Sequence, residues 1–139
     1  MILMAVMGEK ESEADAFHFA MVNELGASRV RRVYLGFISD ITERLRRLKL
    51  ETSGRWSDEV VTLVVGVNSA EELAMLRQMG AFVCHQYGPL SGVYHQFDIK
   101  PVDLMISQAD GRPDHVLDAL DAYSECYTRK RDRRTKGAA

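Results

Sequence analysis

The sequence predicts an α/β fold of three layers, α/β/α, built on a mostly parallel sheet of about five strands. Three observations carry this prediction. Short apolar runs such as Ile2 to Met7 and Val60 to Val65 lack polar alternation, as expected of strands buried on both faces. Between such runs lie segments of about ten to fifteen residues whose apolar positions recur at helical spacing. Glycines and capping residues fall at the joints between the two kinds of segment.

A chain of 139 residues, 46% apolar and 27% charged, can build one real core but hardly two. Residues 1–128 read as one domain and residues 129–139 as a basic, frayed tail. A net charge of -2 opposes wholesale nucleic-acid binding. Cys84 and Cys126 form no C-x-x-C pair, and no His/Cys cluster has zinc spacing. A reducing, cytoplasmic setting without a metal or cofactor is therefore expected. The opening MILMAVMG lacks a basic lead-in and is too short for a signal segment. No apolar run nears the roughly 20 residues of a membrane span.

The elements follow in order. Ile2 to Met7, closed by Gly8, reads as a strand, and GEKESEAD as a polar loop. ADAFHFAMVNELG places Phe17, Met21 and Leu25 on one helical stripe, with Gly26 suited to the C′ position. Arg29 to Phe37 reads as a second strand. Asp40 and Glu43 have capping-box spacing ahead of a helix with Ile41, Leu45 and Leu48 on one side. Thr52 to Asp58, containing Trp56, is a polar connector. Val60 to Val65 is dense enough in β-branched residues for a central strand, and Gly66-Val67-Asn68 turns out of it. Ser69 and Glu72 form a second capping box, before a helix with Leu73, Leu76 and Met79 that stops at Gly80. Ala81 to Tyr87 is a fourth strand ended by GPLSG, and Val93 to Phe97 a short extended piece. Asp103 to Ser107 is the fifth strand. ADGRPD is a loop, Pro113 suits a first helical turn, and a last helix carries Val116, Leu117, Leu120, Tyr123 and Tyr127.

Ligands of parallel α/β sheets sit at the carboxyl ends of the strands. The first such end is Met7-Gly8, where a phosphate-binding loop of the form G-x-x-x-x-G-K-[ST] would lie. On that pattern Gly8 takes the first glycine, Glu13 the second, Ala14 the lysine and Asp15 the Ser/Thr position. MAVMGEKESEADAFHFAMVNELGASRV resembles the opening of the deoxynucleoside monophosphate kinases, many of them phage-encoded. In that family the loop often ends in Lys-Asp, which Asp15 fits. DEVVTLVVGVNSAEELAMLRQMGAFVCHQYGP is similar to the family's strand ending in Asp-Val-Arg and the helix, turn and strand that follow. VDLMISQADGRPDHVLDALDAY is similar to its last strand, Asn-x-Gly loop and terminal helix. The resemblance spans nearly the whole chain and implies a P-loop-kinase-like fold.

The departures sit at the chemistry. Ala14 replaces the phosphate-binding Lys, Glu13 the second Gly, and Gly66-Val67-Asn68 the Asp-Val-Arg. Phosphoryl transfer rests on positioning and charge neutralisation, so these changes remove most of its machinery. The region between the second and third strands, which would supply the monophosphate site and lid, is also short. The resemblance thus implies a pseudoenzyme with a lost P-loop.

Gly8, Lys10, Ser12 and Asp15 are the candidates for residual nucleotide binding, with Lys10 standing in for the missing lysine. Against them stands the plain reading of a solvated acidic turn, since Glu9, Glu11, Glu13 and Asp15 oppose phosphate. Arg44 and Arg47 on the second helix, and Arg129, Arg131 and Arg133 in the tail, are candidates for partner binding. Their plain reading is a solvated helix face and a helix C-terminus complementing its dipole. His85 is expected to pack or bond locally, while His95 with Asp98 has acid–base chemistry but no accompanying nucleophile. Cys84 and Cys126 read as small buried apolar residues. The expected function is a regulatory module that binds a host or phage protein, with a homodimer as a secondary expectation because a small sheet exposes its edges. The alternatives are a residual nucleotide binder or weak kinase, and nucleic-acid binding through the Arg-rich helix and tail.

Overall fold

Ile2–Met7 forms β1, and it is buried along its whole length. Alternate side chains feed two separate cores: Ile2, Met4 and Val6 on one face, Leu3, Ala5 and Met7 on the other. Double burial explains why the run carries no polar residue. The computed structural model describes residues 1–7, 11–54, 57, 59–67, 69–87, 99–108 and 113–138. Beside β1 stand β2 (Val30–Tyr34), β3 (Val61–Val65), β4 (Phe82–Gln86), β5 (Leu104–Ile106) and β6 (Val116–Leu117). They form one sheet in the order β2-β3-β1-β4-β5-β6, with every neighbouring pair parallel.

The helices are α1 (Glu11–Leu25), α2 (Ile41–Thr52), α3 (Ala70–Gln78) and α4 (Ala119–Ala138). Phe17 and Met21 of α1 and Ala119, Ala122 and Cys126 of α4 cover the Met4 face. Leu48 of α2 and Leu73 and Leu76 of α3 cover the Ala5 face. The result is the three-layer, P-loop-kinase-like α/β/α arrangement expected from the sequence. The path from β1 to β2 runs one way over the α1 face, and those to β3 and β4 run the other way over the opposite face. All three therefore share one crossover hand. Among the described residues, no helix is long and apolar enough to cross a membrane.

Several expectations need correction. Val116 and Leu117 pair with Met105 and Ile106 instead of opening the last helix, so the sheet of the described residues has six strands, close to the five or so expected. Asp118 is the reason: its Oδ1 accepts from the Asp121 N–H at 2.9 Å and starts the helix at Ala119. The loop before the first helix is shorter than predicted, since Glu11, Ser12 and Glu13 already belong to α1. Acidic residues suit the positive end of a helix as well as they suit a loop, so polarity alone misplaced the boundary. Arg29 lies in a 3-10 turn, and β2 ends at Tyr34, before Gly36. Asp40 sits at the N-cap of α2 but makes no side-chain cap; Glu43 is turned to Arg46 instead. The second capping box does form, with Ser69 Oγ accepting from the Glu72 N–H at 3.2 Å. Asn68, Trp56 and the predicted extended piece Val93 to Phe97 lie outside the described residues.

The C-terminal segment is helix, continuous with α4 to Ala138. It is fastened to the amino edge of the sheet. Arg129 Nη1 donates to the Val102 carbonyl at 2.7 Å, and Lys130 to the Met1 carbonyl. Arg133 donates to the Gly80 carbonyl at 3.1 Å and lies 4.4 Å from the Phe82 ring centroid. Truncation after Thr128 should therefore lower stability by about 1–2 kcal/mol, read as a shift in the urea midpoint. An unchanged midpoint would mark the segment as an appendage.

Candidate functional site

β1 and β3 are neighbours, and the helices that follow them leave on opposite faces of the sheet. This is the topological switch point, where an α/β sheet opens a crevice at its carboxyl edge. Ser12 and Asp15 reach this edge from α1, but their environments differ. Ser12 is exposed. Asp15 is turned sideways and accepts a tight hydrogen bond from Arg32 Nη1 of β2. Beside this pair, burial lowers the pKa of His18, helped by the Arg32 charge and opposed by Asp15. Gly8 and Lys10 lie outside the described residues.

At the end of β3 the chain turns through Gly66, whose φ of 76° is open to glycine and costly for other residues. A Cβ there would come within 2.7 Å of the Tyr34 ring, which lies across the turn. The turn is held from beneath by Arg44. Its Nη2 donates to the Gly66 carbonyl at 2.9 Å and to Glu72 Oε2 at 3.1 Å, and its Nη1 to the Ile38 carbonyl at 3.2 Å. Arg44 Nε lies 2.9 Å from Glu72 Oε1 but too obliquely to donate. Ser69 Oγ donates to that same oxygen at 3.0 Å. The Arg44 and Glu72 side chains are only 5% and 2% exposed. Arg44 is thus no member of a solvated basic face, as its helix composition had suggested; it is a buried strut. One signal was available: Arg44 is spaced three residues after Ile41 and four before Leu48, on the inward stripe.

A cavity of about 380 Å³ opens at the carboxyl ends of β4 and β5, against the first turns of α1. Its walls include Ser12, Glu13, Gln86, Tyr87, Ser107 and Gln108. Gln108 Oε1 accepts from the Ala119 N–H at 2.8 Å, which holds this side chain at the start of α4. Gln86 Nε2 is buried and, among the described residues, has no hydrogen-bond partner. An orphaned buried donor is costly, so its presence in a cavity wall is informative. None of Gln86, Tyr87, Ser107 and Gln108 was a candidate from the sequence, because polar residues at strand ends carry no spacing signal.

Behind β4, Asp103 gathers contacts from three residues. Arg77 Nη1 and Nη2 each reach it at 2.7 Å, His85 Nε2 lies at 2.8 Å, and the Lys100 N–H at 3.0 Å. Burial pushes the Asp103 carboxyl up, but the Arg77 and His85 hydrogen bonds outweigh it and hold the carboxyl below its usual range. The expectation that His85 bonds locally agrees with this contact. His95 and Asp98 lie outside the described residues. Cys84 and Cys126 are both buried in the Met4-side core. A hydrogen bond from the Cys84 S–H to Cys126, together with burial, pushes the Cys84 thiol well up, so it is not a poised nucleophile.

The remaining candidates are scattered. Arg47 sits on the outer face of α2, with its Nε 3.5 Å from Glu51. Arg129 pairs with Glu125 at 2.8 Å. Arg129, Arg131 and Arg133 belong to the far end of α4, at the opposite edge of the sheet from the crevice. Among the described residues no group of three His, Cys, Asp or Glu side chains converges as a metal site. Comparison of this chain with family models, with curated proteins and with solved structures finds no match.

Two predictions follow from these buried charges. Glu72→Ala leaves the Arg44 guanidinium buried without its counter-charge and should cost about 3–5 kcal/mol. The double change Arg44→Met with Glu72→Leu should recover most of that loss in the same urea titration. Separately, a depressed carboxyl stabilises the fold above its unfolded pKa and loses that contribution as pH falls through the folded value. Stability should therefore drop as pH falls below about 4, the ordinary Asp range. Asp103→Asn should flatten this acid limb while lowering stability at neutral pH.

Proposed function

We propose that the chain is a pseudoenzyme, a scaffold of the nucleoside-monophosphate-kinase type that works by binding a protein and not by transferring phosphate. One observation carries this reading. Among the described residues at the crevice, the charged groups that could meet phosphate are used internally: Asp15 is bonded to Arg32, and Arg44 to Glu72. Phosphoryl transfer needs cations free to neutralise the moving charge. Arg32 and Arg44 are instead matched by carboxylates of their own chain. A protein partner, from a host or a sister phage, would find exposed aromatic surface nearby, since Tyr34 is 51% and Phe37 72% exposed.

A second reading is favoured by a different observation. The buried, unpartnered Gln86 amide in the wall of the cavity beside α1 suits a small ligand with a carbonyl acceptor. This supports a nucleoside or nucleotide binder without transferase activity. Incubation with labelled ATP and each deoxynucleoside monophosphate should give no labelled diphosphate. Measurable transfer would defeat the pseudoenzyme reading. Calorimetric titration with nucleosides and nucleotides decides the second reading: heat that disappears in Gln86→Leu supports it, and its absence with every nucleotide ends it.

A further inference from the structure

At the amino edge of the sheet, opposite the crevice, lies a second and larger cavity of about 510 Å³. This is within the size range of small-molecule sites. Its floor is apolar, built from Leu3 of β1, Phe82 of β4 and Met79 at the end of α3. Thr52, at the end of α2, closes one side, and its hydroxyl is turned back on the Leu48 carbonyl at 2.9 Å. Lys130 and Arg133 of α4 supply the polar rim. They are three residues apart and so share one face of that helix.

The charge of this rim is the informative feature. Elsewhere most arginines meet a carboxylate, as in Arg31–Glu51, Arg32–Asp15, Arg44–Glu72, Arg77–Asp103 and Arg129–Glu125. Among the described residues, Lys130 and Arg133 meet none. Lys130 donates to the Met1 carbonyl, and Arg133 to the Gly80 carbonyl while resting on the Phe82 ring. Among the described residues, no carboxylate lines the cavity. Two cations balanced only by carbonyl dipoles and an aromatic face stand over an apolar floor. Carbonyl oxygens hold such cations in place without neutralising them, so the rim keeps its positive potential.

We infer that this cavity binds an amphiphilic carboxylate, its aliphatic tail on Leu3, Met79 and Phe82 and its carboxylate between Lys130 and Arg133. Methionine suits a floor that must accept an alkyl chain, because it is flexible and polarizable. The planar fork of Arg133 matches a carboxylate, while Lys130 adds a second charge from the same helical face.

The test is a titration of the full chain with decanoate below its micelle concentration, followed by calorimetry or by the shift of a ¹³C-labelled carboxylate. Decanol and decylammonium serve as neutral and cationic probes of equal tail length. The expected result is saturable, sub-millimolar binding of decanoate alone, weakened about tenfold or more in the Lys130→Gln/Arg133→Gln double variant. No binding of decanoate, or equal binding of decanol, would overturn the inference. The three probes on the unaltered chain decide the matter even if the double variant folds poorly.

Discussion

The guanidinium of Arg44 touches three separate stretches of chain at the carboxyl end of β3: the Ile38 carbonyl after β2, the Gly66 carbonyl after β3, and the Glu72 carboxylate in α3. The edge of the sheet depends on this contact. Gly66 can turn sharply because Arg44 takes up its carbonyl. Tyr34 can lie across that turn because Gly66 has no side chain to exclude it. Glu72 is held both by its capping bond with Ser69 and by the ion pair, so the start of α3 and the loop before α2 share one anchor. A buried ion pair is weak evidence for added stability, since desolvation offsets much of its attraction. Its clearer effect is geometric: it fixes loops that an apolar contact would leave free to slide.

That constraint explains why the crevice looks as it does. In a phosphate-binding α/β protein the carboxyl edge keeps cations and backbone N–H groups available for a ligand. Here the described charges of the edge are directed at one another. At the opposite edge α4 carries Lys130 and Arg133, which donate to backbone carbonyls and, among the described residues, meet no carboxylate.

How much of this could be read in the sequence depends on the kind of signal. β1 and β3 were legible because burial on both faces demands continuous apolar runs, and Ser69–Glu72 because a capping box is local. β6 was not, since two residues give no periodicity, and Val116 and Leu117 fit a helical stripe equally well. Asp40 has the same capping spacing as Ser69 yet forms no cap, because Glu43 finds Arg46 on its own helix. Among the site residues, Arg44 looked like one cation in a basic run. Its partner lies 28 residues away, and no local pattern announces such a pairing. Gln86 and Asp103 were missed for the same reason: their meaning comes from neighbours brought by the sheet.

The strand order carries a consequence for how the chain is made. β1 is synthesised before either of its partners, yet it lies between β3 and β4, pairing Met4 with both Leu63 and Phe82. Its backbone groups find both partners only after the chain has emerged as far as Gln86. Until then a wholly apolar strand has nothing to pair with. Chains built from such distant contacts fold slowly and expose adhesive segments while they wait. For this protein the vulnerable interval therefore runs from the synthesis of β1 to that of β4, and the vulnerable segment is the one that ends up best protected.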